Sequence, residues 1–275
     1  MALTPLPRIN FPDRDPWKSP DAVTRLPGVA EPNHLGSWIF GRANPSDAVA
    51  RNLCKRNRAP LARNAEADHE IFGAPVIHDD YWEFRGGLDS LRTTLFLPRQ
   101  FCGYAVAWST AGGLASSGLH RAPILSSFQN TASRGYQLAF WSATIARGIA
   151  YGGDPTGVKT VDLTTPGVAV PRLFYFERQP TGGTGDEWRT RVINLSDDSV
   201  TDDVQVVWSA GAANDELPLW IGASRAGYVS DVKLHRLELI AGAGHDLATR
   251  TAIADSVLRG HMARNTALEE LTEAA

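Results

Sequence analysis

The sequence predicts an all-β chain: an antiparallel β-sandwich of jelly-roll type, preceded by an extended Pro-rich arm and followed by one C-terminal helix. Three observations predict it. Short apolar runs with period-two alternation recur along the 275 residues, about twelve in all, and only one stretch reads as a helix. Gly 25 and Pro 17 are spread between those runs, as turns joining many short strands require. Hydrophobic residues make up 43% of the chain and include eight Trp, enough apolar volume to fill the space between two sheets.

Residues 1–33 carry Pro5, Pro7, Pro12, Pro16, Pro20, Pro27 and Pro32, a spacing that forbids a helix and favours a polyproline-like arm. Leu3, Leu6, Ile9, Phe11, Trp17 and Leu26 lie among them. A solvated linker has no use for such groups, so the arm is expected to dock on a neighbouring subunit or on its own body. His34 to Phe40 reads as the first strand of the body. Residues 41–80 are an irregular excursion whose basic cluster (Arg51, Lys55, Arg56, Arg58, Arg63) suits a solvated face, or contact with an acidic polysaccharide or a neighbouring subunit. Tyr81–Phe84 and Leu91–Leu97 follow as two strands. In the next, Tyr104, Val106 and Trp108 alternate with Ala105 and Ala107, putting the large groups on one face.

Ile124–Phe128 leads through a polar turn into Gly135–Phe140, where Tyr136, Leu138 and Phe140 share a face; Ile145, Ile149 and Tyr151 make the strand after it. Val168–Phe176 is apolar on both parities, as in a strand covered on both sides, with Pro171 demanding a bulge or an edge. Trp188, Thr190 and Val192, then Val204, Val206 and Trp208, alternate with mostly polar neighbours and predict one open sheet face. A strand from Leu217 ends at Ile221-Gly222. In the last run Val232 and Leu234 share one parity, while Leu237 and Leu239 share the other. Such a slip reverses which side chains face inward, so a residue at His235-Arg236 must bulge out. Residues 245–264 read as the helix, capped by Asp246, with Leu247, Ile253, Val257, Leu258, His261 and Met262 as its apolar stripe. The expected division is 1–33 arm, 34–244 sandwich, and 245–275 helix with an acidic tail.

The order "apolar strand, Ile221-Gly222, loop, long amphipathic strand" resembles the closing strands of the concanavalin A-like lectin/glucanase superfamily, which includes the laminin-G-like jelly rolls. His34–Phe40 with Trp38 is similar to its opening strand. Tyr81–Gly87 with Leu91–Leu97, and Ile124–Ser127 with Arg134–Leu138, are similar to its internal strand pairs. The resemblance covers residues 34–245 and implies a sandwich that handles carbohydrate.

Composition excludes several classes. Formal net charge is −3 with no long basic block, which argues against nucleic acid as a partner. No stretch approaches the roughly 20 apolar residues of a membrane span, and the first residues have no export-signal pattern. Cys54 and Cys102 lack metal spacing and read as free thiols, or as one disulfide. Gly-rich phosphate loops, HExxH, CxxC and GxSxG are absent. Asp79-Asp80, Asp197-Asp198 and Asp202-Asp203 read as turn residues; none forms a Ca²⁺ loop, so a rim calcium has weak support and no cofactor is expected.

Two constellations remain. The Glu66-Ala67-Asp68-His69-Glu70 string matches the Glu-x-Asp-x-Glu pattern of the superfamily's glucanases. The resemblance would make Glu66 the nucleophile, Glu70 the acid/base and Asp68 the group tuning both. Ala67 and His69 are poor core residues, however, and the string precedes the recognisable strands, so a solvated loop is the plainer reading. For sugar, Trp141, Tyr151, Asp154, Asn214, Arg225 and Tyr228 lie in loops or where strands run into turns, where an aromatic ring can stack on a pyranose and polar groups can reach its hydroxyls. A lectin-like sandwich without an export signal is explained by a virion component assembled in bacterial cytoplasm and then released. The expected function is therefore a non-enzymatic structural and adhesion protein of a phage-like particle (tail fibre, baseplate or head spike). It would be homo-oligomeric, would contact other virion subunits and would bind bacterial surface polysaccharide. The alternatives are a glycoside hydrolase using Glu66 and Glu70, and a purely architectural virion protein.

Overall fold

The computed structural model describes residues 33–40, 69–78, 81–85, 89–109, 122–127, 134–152, 158–165, 168–181, 187–196, 199–200, 204–207, 218–223 and 231–255. In chain order the strands begin with β1 (His34–Ile39), β2 (His69–Phe72), β3 (Val76–Ile77), β4 (Trp82–Phe84), β5 (Ser90–Phe96) and β6 (Phe101–Trp108). β7 (Ala122–Ser126), β8 (Arg134–Ser142), β9 (Ile145–Gly152), β10 (Val158–Thr164) and β11 (Arg172–Pro180) follow. The rest are β12 (Glu187–Asn194), β13 (Ser199–Val200), β14 (Val204–Val207), β15 (Pro218–Ile221) and β16 (Val232–Ala241), before helix α1 (Leu247–Ile253).

Every pairing is antiparallel, in two sheets. The larger runs β13-β12-β11-β6-β16-β4-β3, with β1 also on β16 and β14 on β12; the smaller runs β10-β9-β8-β7-β15-β5-β2. Their inner faces meet in one apolar core. The aromatic contacts Phe101–Tyr136 (centroids 5.1 Å apart), Phe140–Phe174 (5.7 Å) and Tyr136–Phe176 (6.1 Å) join one sheet to the other. The predicted sandwich is the fold, and Tyr136, Leu138, Phe140 and Val192 are all buried in it.

The predicted bulge is present. β16 pairs Leu234 with Ala107 and then Arg236 with Val106, leaving His235 as the extra residue. Leu234, Leu237 and Leu239 can therefore all enter the same core. Gly222 ends β15 at φ +80, and a Cβ there would overlap the Phe84 ring. Only glycine meets both demands.

Four sequence expectations are corrected. Val168–Val170 form a bend and not a strand; β11 starts at Arg172, because Pro171 has no N–H for the ladder. The apolar pattern on both parities survives, since Phe174 and Phe176 face the inter-sheet core while Leu173 and Tyr175 face outward into a second cluster. That cluster narrows the predicted open sheet face, although Arg189 and Arg191 on β12 stay partly exposed. Cys102, Tyr104, Val106, Ile193 and Ile240 line the outer side of the larger sheet and are covered by Ile253 and Ala254. Tyr104 and Val106 of β6 thus point away from the space between the sheets, and Phe101, Ala105 and Ala107 point into it.

Asp246 caps α1 as expected, accepting from Thr249 N–H at 2.8 Å, but Leu247 does not share a buried stripe with Ile253. Six residues of helix separate the two by about 120°; Ile253 is buried and Leu247 is 68% exposed. Val257, Leu258, His261 and Met262 lie outside the described residues. The excursion 41–80 is also not wholly irregular, because it contains β2 and β3.

Candidate functional site

Among the six predicted sugar-binding residues, Trp141 and Tyr151 fall on described strands. Trp141 sits half-buried near the turn end of the β8–β9 hairpin, at a register shift between Phe140 and Ser142. Tyr151 pairs with Gly135 at the other end, six residues away along β8, so about 20 Å separate their backbones. The hairpin does not bring them together. Asp154, Asn214, Arg225 and Tyr228 lie outside the described residues.

Residues that sequence reading did not single out surround Trp141. The Arg147 guanidinium lies 3.8 Å from the Trp141 ring centroid. Arg147 is held by Asp162 on β10 through two hydrogen bonds, Nε to Oδ1 and Nη2 to Oδ2 (2.6 Å for the latter). The reason is register: Asp162 is the direct cross-strand partner of Arg147, and a bidentate pair fixes the guanidinium plane. A partly exposed indole, a fixed guanidinium and a carboxylate that is 40% exposed thus share the outer face of the smaller sheet.

The catalytic alternative is only partly within view. Glu70 is on β2, the edge strand of the smaller sheet, opposite Arg92, whereas Glu66 and Asp68 lie outside the described residues. Among the described residues no group of three or more His, Cys, Asp or Glu is placed to hold a metal ion, and no helix is long and apolar enough to cross a membrane. The three Asp pairs and Cys54 lie outside those residues. Cys102 is a buried free thiol. Burial, reinforced by the nearby Glu177 charge, pushes its pKa up to about 12, so it is not a nucleophile at neutral pH.

Two charged groups occupy the outer face of the larger sheet. The first is closed. Glu238 is fully buried; its Oε2 meets His34 Nε2 at 2.7 Å, and its Oε1 accepts from Ser37 Oγ at 3.0 Å and Arg236 Nε at 2.6 Å. Burial alone would raise the carboxyl pKa, but the Arg236 charge and the His34 contact outweigh it and hold it below the usual carboxylate range. Both of its oxygens are thus taken by protein partners.

The second opens into a cleft of about 450 Å³ between the β11–β12 face and the segment Gly244–Arg250. Glu177, 2% exposed, pairs across the strands with Arg191, and Gln179 pairs with Arg189. Glu177 Oε2 accepts from the Tyr175 hydroxyl at 2.5 Å, which itself accepts from His245 N–H at 2.9 Å. The Tyr104 hydroxyl and His245 Nδ1 share a hydrogen bond of 2.7 Å. Burial pushes both tyrosines up and, with Arg250 adding to it, His245 down, so at neutral pH all three are uncharged. The other oxygen, Glu177 Oε1, has no hydrogen-bond donor; Arg191 Nη1 and Arg189 Nη2 stand 3.6 and 3.8 Å away. A Cβ on Gly244 would overlap Glu177 Oε2, so glycine is what lets this segment close on the sheet.

No family model matches the sequence, and no curated protein matches it. Solved structures do. The receptor-binding domain of botulinum neurotoxin C/D mosaic serotype aligns with TM-score 0.60 at 7% identity, covering 84% of this chain and 53% of that one. The botulinum neurotoxin serotype D ligand-binding domain, solved in complex with N-acetylneuraminic acid, aligns with TM-score 0.57 at 9% identity, covering 83% and 52%. The binding domain of Paraclostridial Mosquitocidal Protein 1 gives TM-score 0.52 at 10% identity over 82% and 52%. This chain therefore spans about half the length of those structures, and what it shares with them is a β-sandwich fold.

Proposed function

We propose that this chain is a non-enzymatic, lectin-like domain that binds cell-surface glycan, using Trp141, Arg147 and Asp162 as its sugar platform. The observation that carries the reading is the partly exposed indole of Trp141, covered on one face by a guanidinium that Asp162 locks in place, so that a sugar would stack on the other face. An aromatic face takes the apolar C–H face of a pyranose, and a fixed donor and acceptor alongside discriminate among its hydroxyls. The serotype D domain solved with N-acetylneuraminic acid supports a binding role for a sandwich of this kind. The setting we propose is the outside of a phage-like particle, as a tail fibre, baseplate or head-spike component meeting bacterial surface polysaccharide. Residues 1–33 and the chain after α1 would there serve contacts with other virion subunits or with further copies of this chain.

A glycan array on the purified protein, followed by titration of the best ligand, tests the proposal. Trp141→Ala is expected to weaken binding by 10-fold or more, about 1.4 kcal/mol, with little change in melting temperature. An array without any bound glycan overturns it, and release of new reducing ends from a bound polysaccharide overturns the non-enzymatic part.

A further inference from the structure

We propose that the cleft over Glu177 is a second binding site, independent of the Trp141 platform, and that its ligand is a neutral polyhydroxyl compound such as an uncharged sugar. Buried polar atoms at the cleft that lack hydrogen bonds include the acceptor Glu177 Oε1 and the donor Arg250 Nε. A buried polar atom left in this state costs free energy, so a partner that completes both gains on both counts. The partner must give a proton to one and accept from the other. A hydroxyl group does both, and a compound carrying several can serve both atoms at once.

Hydrogen-bond chemistry, with charge, separates the alternatives. Arg189, Arg191 and Arg250 face Glu177 and Asp246 around the cleft, with His245 neutral. A cation would meet three guanidinium groups. A carboxylate, though drawn by the three guanidinium groups, has no proton to offer Glu177 Oε1. An extended peptide has both N–H and C=O, and pairs them best by adding to a free strand edge. β12 has none here, being paired with β11 on one side and with β13 and β14 on the other, so the cleft lies over a sheet face.

The walls are built to stay put. Gln179 donates to the carbonyls of Phe101 (3.0 Å) and Gly242 (3.2 Å), Arg250 donates to the carbonyl of His245 (3.1 Å), and Tyr175 fixes the other oxygen of Glu177. A volume of about 450 Å³ falls within the range of small-molecule sites, roughly 300–1,000 Å³.

Titrations of the full chain with D-glucose, D-galactose and D-mannose, with sodium glucuronate, and with a blocked Gly-Ser peptide test this, read by the His245 imidazole signal in NMR. At least one neutral hexose is expected to shift that signal saturably in both the wild type and Trp141→Ala. Glu177→Gln and Arg250→Met are each expected to weaken that binding at least 10-fold. Arg250→Met leaves the sheet untouched and keeps the test decisive if Glu177→Gln does not fold. Persistence of hexose binding in Arg250→Met overturns the assignment, as does a shift with glucuronate or peptide alone, or no shift with any hexose. Loss of glycan-array binding on Trp141→Ala with the His245 response intact separates this site from the platform.

Discussion

At the scale of single residues, this molecule depends on side chains whose surroundings leave one solution. Gly222 must combine a left-handed backbone with the absence of a Cβ against Phe84. Gly222→Ala is expected to cost about 2–4 kcal/mol, summing backbone strain and overpacking, and a thermal melt would register it as a clear drop in midpoint. Glu238 is the electrostatic counterpart. Its carboxyl is held below its ordinary range in the folded state, so its stabilisation is complete above the unfolded carboxyl's pKa and is lost as pH falls through the folded one. His245 acts in the same direction at higher pH: its folded pKa is depressed, the unfolded chain takes up the proton first, and stability declines as pH drops below the ordinary histidine range. Acid denaturation of Glu238→Gln is therefore expected to start from a stability lower by about 3–5 kcal/mol, because Arg236 loses its buried counter-charge, and to be flatter in the carboxylate range than in the wild type.

At the scale of elements, β16 shows how little sequence is needed to fix a register. The shift of parity between Leu234 and Leu237 demands one extra residue, and His235 is that residue. Deleting His235 is expected to turn either Val232 and Leu234 or Leu237 and Leu239 out of the core, so circular dichroism and solubility should report failure to fold. Alternation was equally sufficient for β8 and β12, and a single Asp before an apolar turn was sufficient for the start of α1. Other features were not legible, for definite reasons. β3 and β13 have two residues each, too few to carry a period. The outward direction of Tyr104 and Val106 depends on a cover, Ile253 and Ala254, lying well over a hundred residues further along the chain. Of the candidate site residues, Trp141 is singled out in the sequence by its position at a strand end. Arg147 and Asp162 needed the β9–β10 register, and the burial of Glu177 needed both Arg191 opposite and Gly244 above. Glu177-Arg178-Gln179 at the end of an apolar run was the available signal, since strands seldom place three polar residues where all are buried.

At the scale of the whole molecule, the described part of the larger sheet is covered on both sides: by the smaller sheet on one, and in part by residues 242–255 on the other. Removing everything after Ala241 is expected to uncover Tyr104, Val106, Tyr175 and Ile240 together, and to leave Glu177 beside a sheet face open to water. Increased binding of a hydrophobic dye, with aggregation on concentration, would report it; a truncated chain as soluble and as stable as the intact one would contradict the idea of a second core. The same layering places the two proposed sites on opposite outer faces, so one ligand chain would have to pass around the sandwich to occupy both.

The strand order also bears on how the chain is made. β15 lies between β7 and β5, and β16 lies between β6 and β4 while also pairing with β1. Each sheet is thus keyed in its middle by one of the last two strands. During translation the inner edges of β7 and β5 must wait unpaired until residue 221 has left the exit tunnel, and those of β6 and β4 until residue 241 has. Neither layer can close one hairpin at a time, and the nascent protein commits to its fold in a single late step.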